Sequence, residues 1–166
     1  AGQARAPARI VVNAQSAGPG SAAHPRIALI VSQFNEAVTR SMQDAAVRTL
    51  VAAGVDAGQI ASHKVPGAWE LPLCASWLLR RGDLDGVVAL GCVIRGETPH
   101  FEYVSLGATR GLEALAREYG VPIGFGLLTT DTAEQARARS GGAKGNKGEE
   151  AAQAVLEMCR LAADLE

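Results

Sequence analysis

The chain reads as an α/β domain in three layers, with helices on both faces of a central, mainly parallel sheet of four strands. Three observations carry that expectation. From Arg26 onward, apolar strand candidates alternate with stretches of helical periodicity, the pattern of a layered α/β fold. The strand candidates read as unbroken apolar runs more than as two-residue alternation, as parallel strands covered on both faces do. Finally, 166 residues with 48% hydrophobic content suffice for one globular domain with a sizeable core.

Residues 1–25 stand apart. Ile10, Val11 and Val12 form a short β-branched run, and the AQSAGPGSAAHP behind it is small and rich in Gly and Pro, ill suited to helix or strand. A lone strand leaves its backbone groups unpaired, so this arm is expected to join a sheet edge, and its tether lets that edge belong to a neighbouring subunit. A leader without fixed structure fits the same residues. The domain proper is then 26–166.

Within it, strands are expected over residues 27–31, 59–65, 87–94 and 123–128. The first helix spans 38–53, with Val38, Met42, Ala46 and Leu50 on one stripe, and stops at Gly54. The second starts near Glu70, where Pro72 is tolerated in the first turn, and ends at Arg81 before Gly82. The third opens at Pro99 with Thr98 as its N-cap, and Phe101, Val104, Ala108, Leu112, Leu115 and Tyr119 follow its inner face. The last covers 149–165, with Ala152, Val155, Cys159 and Ala162 turned inward.

Composition removes several classes of function. A net charge of -1 provides no basic field for nucleic acid. No apolar run approaches the roughly 18 residues of a membrane span, and the opening AGQARAPARIVVNAQ lacks the apolar stretch of an export signal. Cys74, Cys92 and Cys159 lie far apart, without the CxxC or Cys/His pairing that a zinc site or disulfide framework needs. A reducing, cytoplasmic setting is expected, with no metal and no membrane or nucleic-acid partner.

Ligands of such a sheet bind beyond the carboxyl ends of its strands. The loops there are SQFNE (32–36), PGAWE (66–70), RGETPH (95–100) and the segment after LLTTD (127–131). In RGETPH, a helix opening at Thr98-Pro99 leaves first-turn amides pointing at the loop, an anion site of phosphate size, with His100 beside it as an acid/base. The same residues also suit a plain helix start with a surface histidine. Residues 139–148, RSGGAKGNKG, lack the GxxxxGK[ST] spacing of a phosphate loop, and Gly124-Phe125-Gly126 lacks the third glycine of a dinucleotide fingerprint. Arg139, Lys144 and Lys147 on a flexible backbone either close on an anion or form a solvated basic loop.

Aromatics make up only 4% of the chain, yet Phe34 and Trp69 fall in these loops, where a ring can stack on a planar heterocycle. Glu70 either reads hydroxyl groups or serves the helix dipole. Asn35 has a comparable reading as a helix cap. His24 and His63 have no supporting constellation.

Five stretches taken together are recognisable: FNE at 34–36, PGAWELP at 66–72, GCVIRGETPHFEYV at 91–104, GLLTTDT at 126–132 and RSGGAKGNKG at 139–148. In this order and spacing they resemble the lumazine synthases, the family that makes 6,7-dimethyl-8-ribityllumazine in riboflavin biosynthesis, over residues 26–163. The resemblance implies a flavodoxin-like three-layer fold. It also implies a transferase that condenses 5-amino-6-(D-ribitylamino)uracil with 3,4-dihydroxy-2-butanone 4-phosphate, releasing phosphate and water, without metal or redox cofactor.

Carried over residue by residue, the resemblance makes His100 the acid/base and Phe34 the ring that stacks on the pyrimidine. Ala68, Trp69 and Glu70 meet the ribityl chain, and Val93 and Ile94 line the pyrimidine site. Gly96, Glu97 and Thr98 form the phosphate turn, which Arg139 serves as the phosphate-binding arginine. Phe125 and Lys147, with Arg139, come from the neighbouring subunit, so the resemblance implies a homopentamer with shared sites. Trp69 stands where many members carry Phe. The uninterrupted segment between Arg139 and Lys147 is similar to members that build icosahedral shells. Two other functions fit the class: a shell or binding protein that holds a flavin-like ligand without turnover, and a nucleotide-binding domain, which the missing phosphate-loop fingerprints disfavour.

Overall fold

The structure, a computed structural model, describes residues 25–165. The expected arm strand at residues 10–12 and its tether up to residue 24 lie outside the described residues.

β1 (Ile27–Ser32) is buried along its whole length, because its neighbours pair with it on both sides: β2 (Ile60–Val65) and β3 (Gly86–Ile94), with β4 (Ile123–Thr130) beyond β3. All three pairings are parallel, in the order β2-β1-β3-β4. Successive side chains of a strand point to opposite faces, so the apolar runs divide into two cores. Leu29, Val31, Val88 and Leu90 face Met42, Ala46 and Leu50 of α1 (Glu36–Ala52) and Ala152 and Val155 of α5 (Lys147–Asp164). Ala28, Ile30, Val87 and Ala89 face Leu71, Ala75 and Leu78 of α2 (Leu71–Leu79) and Ala108 and Leu112 of α3 (His100–Tyr119). The three-layer expectation is met, and strand and helix bounds shift by a few residues.

β2 departs from the expected doubly covered run. It is the edge strand, only Val65 is buried, and Ser62 and Lys64 are exposed. α5 carries its buried stripe on Ala151, Ala152, Val155 and Leu156, while Cys159 is half-buried and Ala162 exposed. The reason is length: the Cys159 thiol already donates to the Asp85 carbonyl (3.2 Å) at the start of β3, so the helix beyond it has run past the sheet. α3 begins one residue later than expected. Pro99, not Thr98, holds the cap position, no side chain caps the helix, and His100 is its first residue rather than its second.

The glycine-rich stretch is not the flexible loop the sequence suggests. Behind a short helix α4 (Ala133–Ala138), β5 (Ser140–Gly142) and β6 (Gly145–Asn146) form a tight antiparallel hairpin. Gly141 at φ 112° and Gly145 at φ 80° take left-handed conformations that a side chain disfavours. Asn146 then caps α5, accepting the Gly148 amide at 2.9 Å.

Candidate active site

At the carboxyl ends of β1, β2 and β3, three loops surround an open cleft of ≈ 740 Å³. The loop after β1 brings Phe34 to its mouth, 72% exposed. Its backbone follows the end of β2, with the Gln33 and Phe34 amides donating to the Val65 and Pro66 carbonyls at 2.8 and 3.1 Å. Asn35 occupies the cap position of α1 in a left-handed conformation (φ 60°), which Asn tolerates better than most residues. Its side chain does not cap. Nδ2 instead donates to the Cys92 carbonyl at 2.9 Å, which ties the Phe34 loop to β3.

The turn after β2 supplies Ala68, Trp69 and Glu70. Trp69 is 61% exposed, a large apolar surface left on the cleft wall. Glu70 spends one carboxylate oxygen on its own loop, Oε2 accepting the Gly67 amide at 2.9 Å, while Oε1 has no protein partner among the described residues. The other wall comes from β3 and α3. Val93 and Ile94 are half-buried at the strand end, Gly96 and Thr98 follow in the turn, and His100 is exposed at the head of α3. Glu97 belongs to the same turn but does not line the cleft.

Several lining residues were not singled out from the sequence. Tyr103 stands three residues after His100, the spacing that puts helical side chains on one face, so periodicity could have found it, whereas Val104, four residues after, was read from that periodicity only as part of the helix's inner face. Arg95 does not line the cleft but stands behind the turn, and it had no such signal. It braces the turn: its amide donates to the Thr130 carbonyl at 2.8 Å, Nε meets Asp131 at 2.8 Å and Nη1 meets Glu102 at 3.2 Å. Its guanidinium also lies 4.4 Å over the Phe101 ring. Hydrogen bonds donated to Asp131 and then to Glu102 raise its pKa further, so this cation is already engaged by two carboxylates.

Cys92 forms part of the wall but is only 2% exposed, and burial pushes its thiol up to about 11. It stays protonated at neutral pH and supplies no thiolate nucleophile. Cys159 is likewise pushed to about 11, by burial and by Asp85. Both raised thiols make the same linkage. Relative to an ordinary value of 9.0, their neutral forms support the fold fully below that pH, and the support is lost as pH rises through about 11. A Cys92→Ala/Cys159→Ala variant should therefore lose stability less steeply over that interval in urea titrations. Equal slopes for variant and parent would refute the assignment.

Phe125, Arg139 and Lys147 do not line this cleft. Phe125 is 43% exposed on β4. Arg139 and Lys147 are held together by the hairpin, the Lys147 amide donating to the Arg139 carbonyl at 2.8 Å, and their side chains bond to the Gln135 carbonyl and to Glu150.

An exposed imidazole, two aromatic surfaces and a glycine turn at a helix start suit a planar, hydroxylated, anionic set of ligands. The family model of 6,7-dimethyl-8-ribityllumazine synthase matches residues 24–163. A 6,7-dimethyl-8-ribityllumazine synthase of Salinibacter ruber (strain DSM 13855 / M31) is 49% identical over 141 residues, covering 85% of this chain and 90% of that protein.

The chain belongs to the 6,7-dimethyl-8-ribityllumazine synthase family.

Membership covers the whole sheet, every loop around the cleft and the hairpin that carries Arg139 and Lys147. The described chain of this family member therefore surrounds one open cleft with nine of the residues singled out beforehand, Phe34, Ala68, Trp69, Glu70, Val93, Ile94, Gly96, Thr98 and His100. No helix among its described residues is long and apolar enough to cross a membrane.

Proposed function

We propose that the protein condenses 5-amino-6-(D-ribitylamino)uracil with 3,4-dihydroxy-2-butanone 4-phosphate to give 6,7-dimethyl-8-ribityllumazine, phosphate and water. The observation that carries this is the shared cleft: the His100 imidazole, the Gly96-to-Thr98 turn and the Phe34 and Trp69 rings border one volume. The substrate amine is the nucleophile. It adds to the ketone, water leaves to form the imine, phosphate departs by elimination, and the ring closes on the carbonyl so generated with loss of a second water. His100 accepts and returns the protons of these steps. The turn amides and the Thr98 hydroxyl hold the phosphate, the Phe34 ring stacks on the pyrimidine, Val93 and Ile94 line it, and Glu70 Oε1 takes a ribityl hydroxyl.

We infer that one part of this site comes from a neighbouring copy. Phe125, Arg139 and Lys147 are absent from the cleft lining, which supports their being offered to the cleft of an adjacent copy in a homopentamer, alone or in an icosahedral shell. Three free thiols fit a reducing compartment such as the cytoplasm. The test mixes purified protein with both substrates and follows lumazine absorbance across sedimentation fractions. Product should form, and only in oligomer fractions. Absence of product above the uncatalysed background defeats the synthase reading, and an active stable monomer defeats the shared site.

A further inference from the structure

Trp69 sits in the 3-10 turn Ala68–Glu70 that leads directly into α2, with most of its surface open. One edge of the indole is nonetheless laid down on α3. A Cβ built on Gly107 would overlap Cζ3 of that ring and stand 3.0 Å from Cε3 and 3.2 Å from Cη2. One turn further on, a Cβ on Gly111 would come within 2.7 Å of Pro72 Cβ and 2.8 Å of its Cγ. Two glycines on one helix face thus clear a shallow seat for the Trp69-to-Pro72 segment.

The backbone does not ask for glycine at either place. Both lie inside α3 and neither has a positive φ. Glycine in a helix interior is less favourable than alanine by roughly 0.5 to 1 kcal/mol. What the glycine at 107 provides is room for the six-membered edge of the indole. Towards its N-terminus the same helix presents His100, Tyr103 and Val104 to the cleft, so the depth of this seat sets how far the indole stands into the ligand volume.

We propose that Gly107 is a positioning residue that acts through Trp69. By carrying no side chain it keeps the edge of the indole seated on α3 and holds open the part of the cleft that receives the ribityl-bearing pyrimidine. This rests on the synthase reading above, in which the 68–70 turn meets the ribityl chain. A methyl group at position 107 forces one of two movements: the indole swings into the cleft, or the turn shifts and takes the Glu70 carboxylate with it. Either one weakens binding of the pyrimidine substrate and leaves the phosphate turn on the opposite wall alone.

The experiment uses the full chain and compares Gly107→Ala, Trp69→Phe and the double variant. Gly107→Ala should raise KM for the pyrimidine substrate by roughly threefold to tenfold, the size of one aromatic contact, with kcat and KM for the butanone phosphate unchanged. A phenyl ring lacks the outer indole atoms that reach Gly107, so adding Gly107→Ala to Trp69→Phe should change KM little. A KM effect of equal size in both backgrounds, or none in either, overturns the proposal.

A second readout does not need turnover. The chain has two tryptophans, so in a Trp77→Phe background Trp69 is the one tryptophan, and with excitation selective for indole Gly107→Ala should shift its emission and its acrylamide quenching in the unliganded protein. Unchanged emission overturns the seat even if the enzyme is active. Absence of synthase activity with shifted emission removes the functional reading and keeps the seat. If Gly107→Ala fails to fold, folding of the double variant supports the steric pairing, and failure of both refutes it.

Discussion

Replacing Gly148 with alanine should lower the unfolding free energy by about 3 kcal/mol, the upper part of the range for overpacking, and the melting temperature by roughly 6 to 12 °C. A Cβ there would overlap the Met42 carbonyl oxygen and lie 2.6 Å from its carbon and 2.8 Å from the Met42 Cα. These are backbone atoms of α1. They cannot rotate away as a side chain can, so relief requires α5 to move off α1. α5 starts at Lys147, and its Gly148 amide is held by Asn146 of the hairpin. Displacement would therefore be felt where Arg139 and Lys147 are joined. Gly96 supplies the control: an added Cβ meets nothing within 4 Å, so Gly96→Ala should melt within about 0.5 kcal/mol of the parent, as surface changes do. Urea and thermal unfolding of the two variants decide the matter, and parent-like melting of Gly148→Ala would show that the helices can separate at little cost.

The second large effect concerns chemistry. His100→Ala should reduce kcat by about 10²-fold, the lower end for a positioned acid/base, with both KM values close to those of the parent. The lower end is expected for two reasons. In the proposed reaction the substrate amine performs the attack by itself, and the imidazole is exposed at the helix start, so solvent can take over part of the proton traffic. No hydrogen bond from the His100 side chain holds the fold together among the described residues, so the variant should melt like the parent. Steady-state rates at saturating substrate provide the check. An unaltered kcat would strip His100 of its role without touching the binding assignments.

How legible the molecule was in its sequence depends on how local each feature's cause is. β1 and β3 were plain because burial on both faces writes an unbroken apolar run into the strand itself. The burial of β2 was misjudged for the complementary reason: an edge strand is told by what lies beside it, and among the described residues β2 pairs with β1 alone. The 139–148 stretch has no periodicity to read, and its hairpin strands are only three and two residues long. Around the cleft, Phe34, Trp69 and His100 could be found because strand-to-helix loops of a parallel sheet gather at one edge. The braces could not. Asn35 reaches Cys92 across 57 positions, and Arg95 reaches Asp131 across 36.

What the sequence determined unaided was the alternation of elements, the two apolar faces of the inner strands and the loops that border the cleft. Each of these follows from neighbours within a few residues along the chain. The tertiary structure alone decided which glycines are there for turns and which for contact. Gly141 and Gly145 answer to their own φ angles, whereas Gly107 and Gly148 answer to an indole and a carbonyl belonging to distant segments. Steric exclusion depends on what stands opposite, and only the folded chain puts anything there.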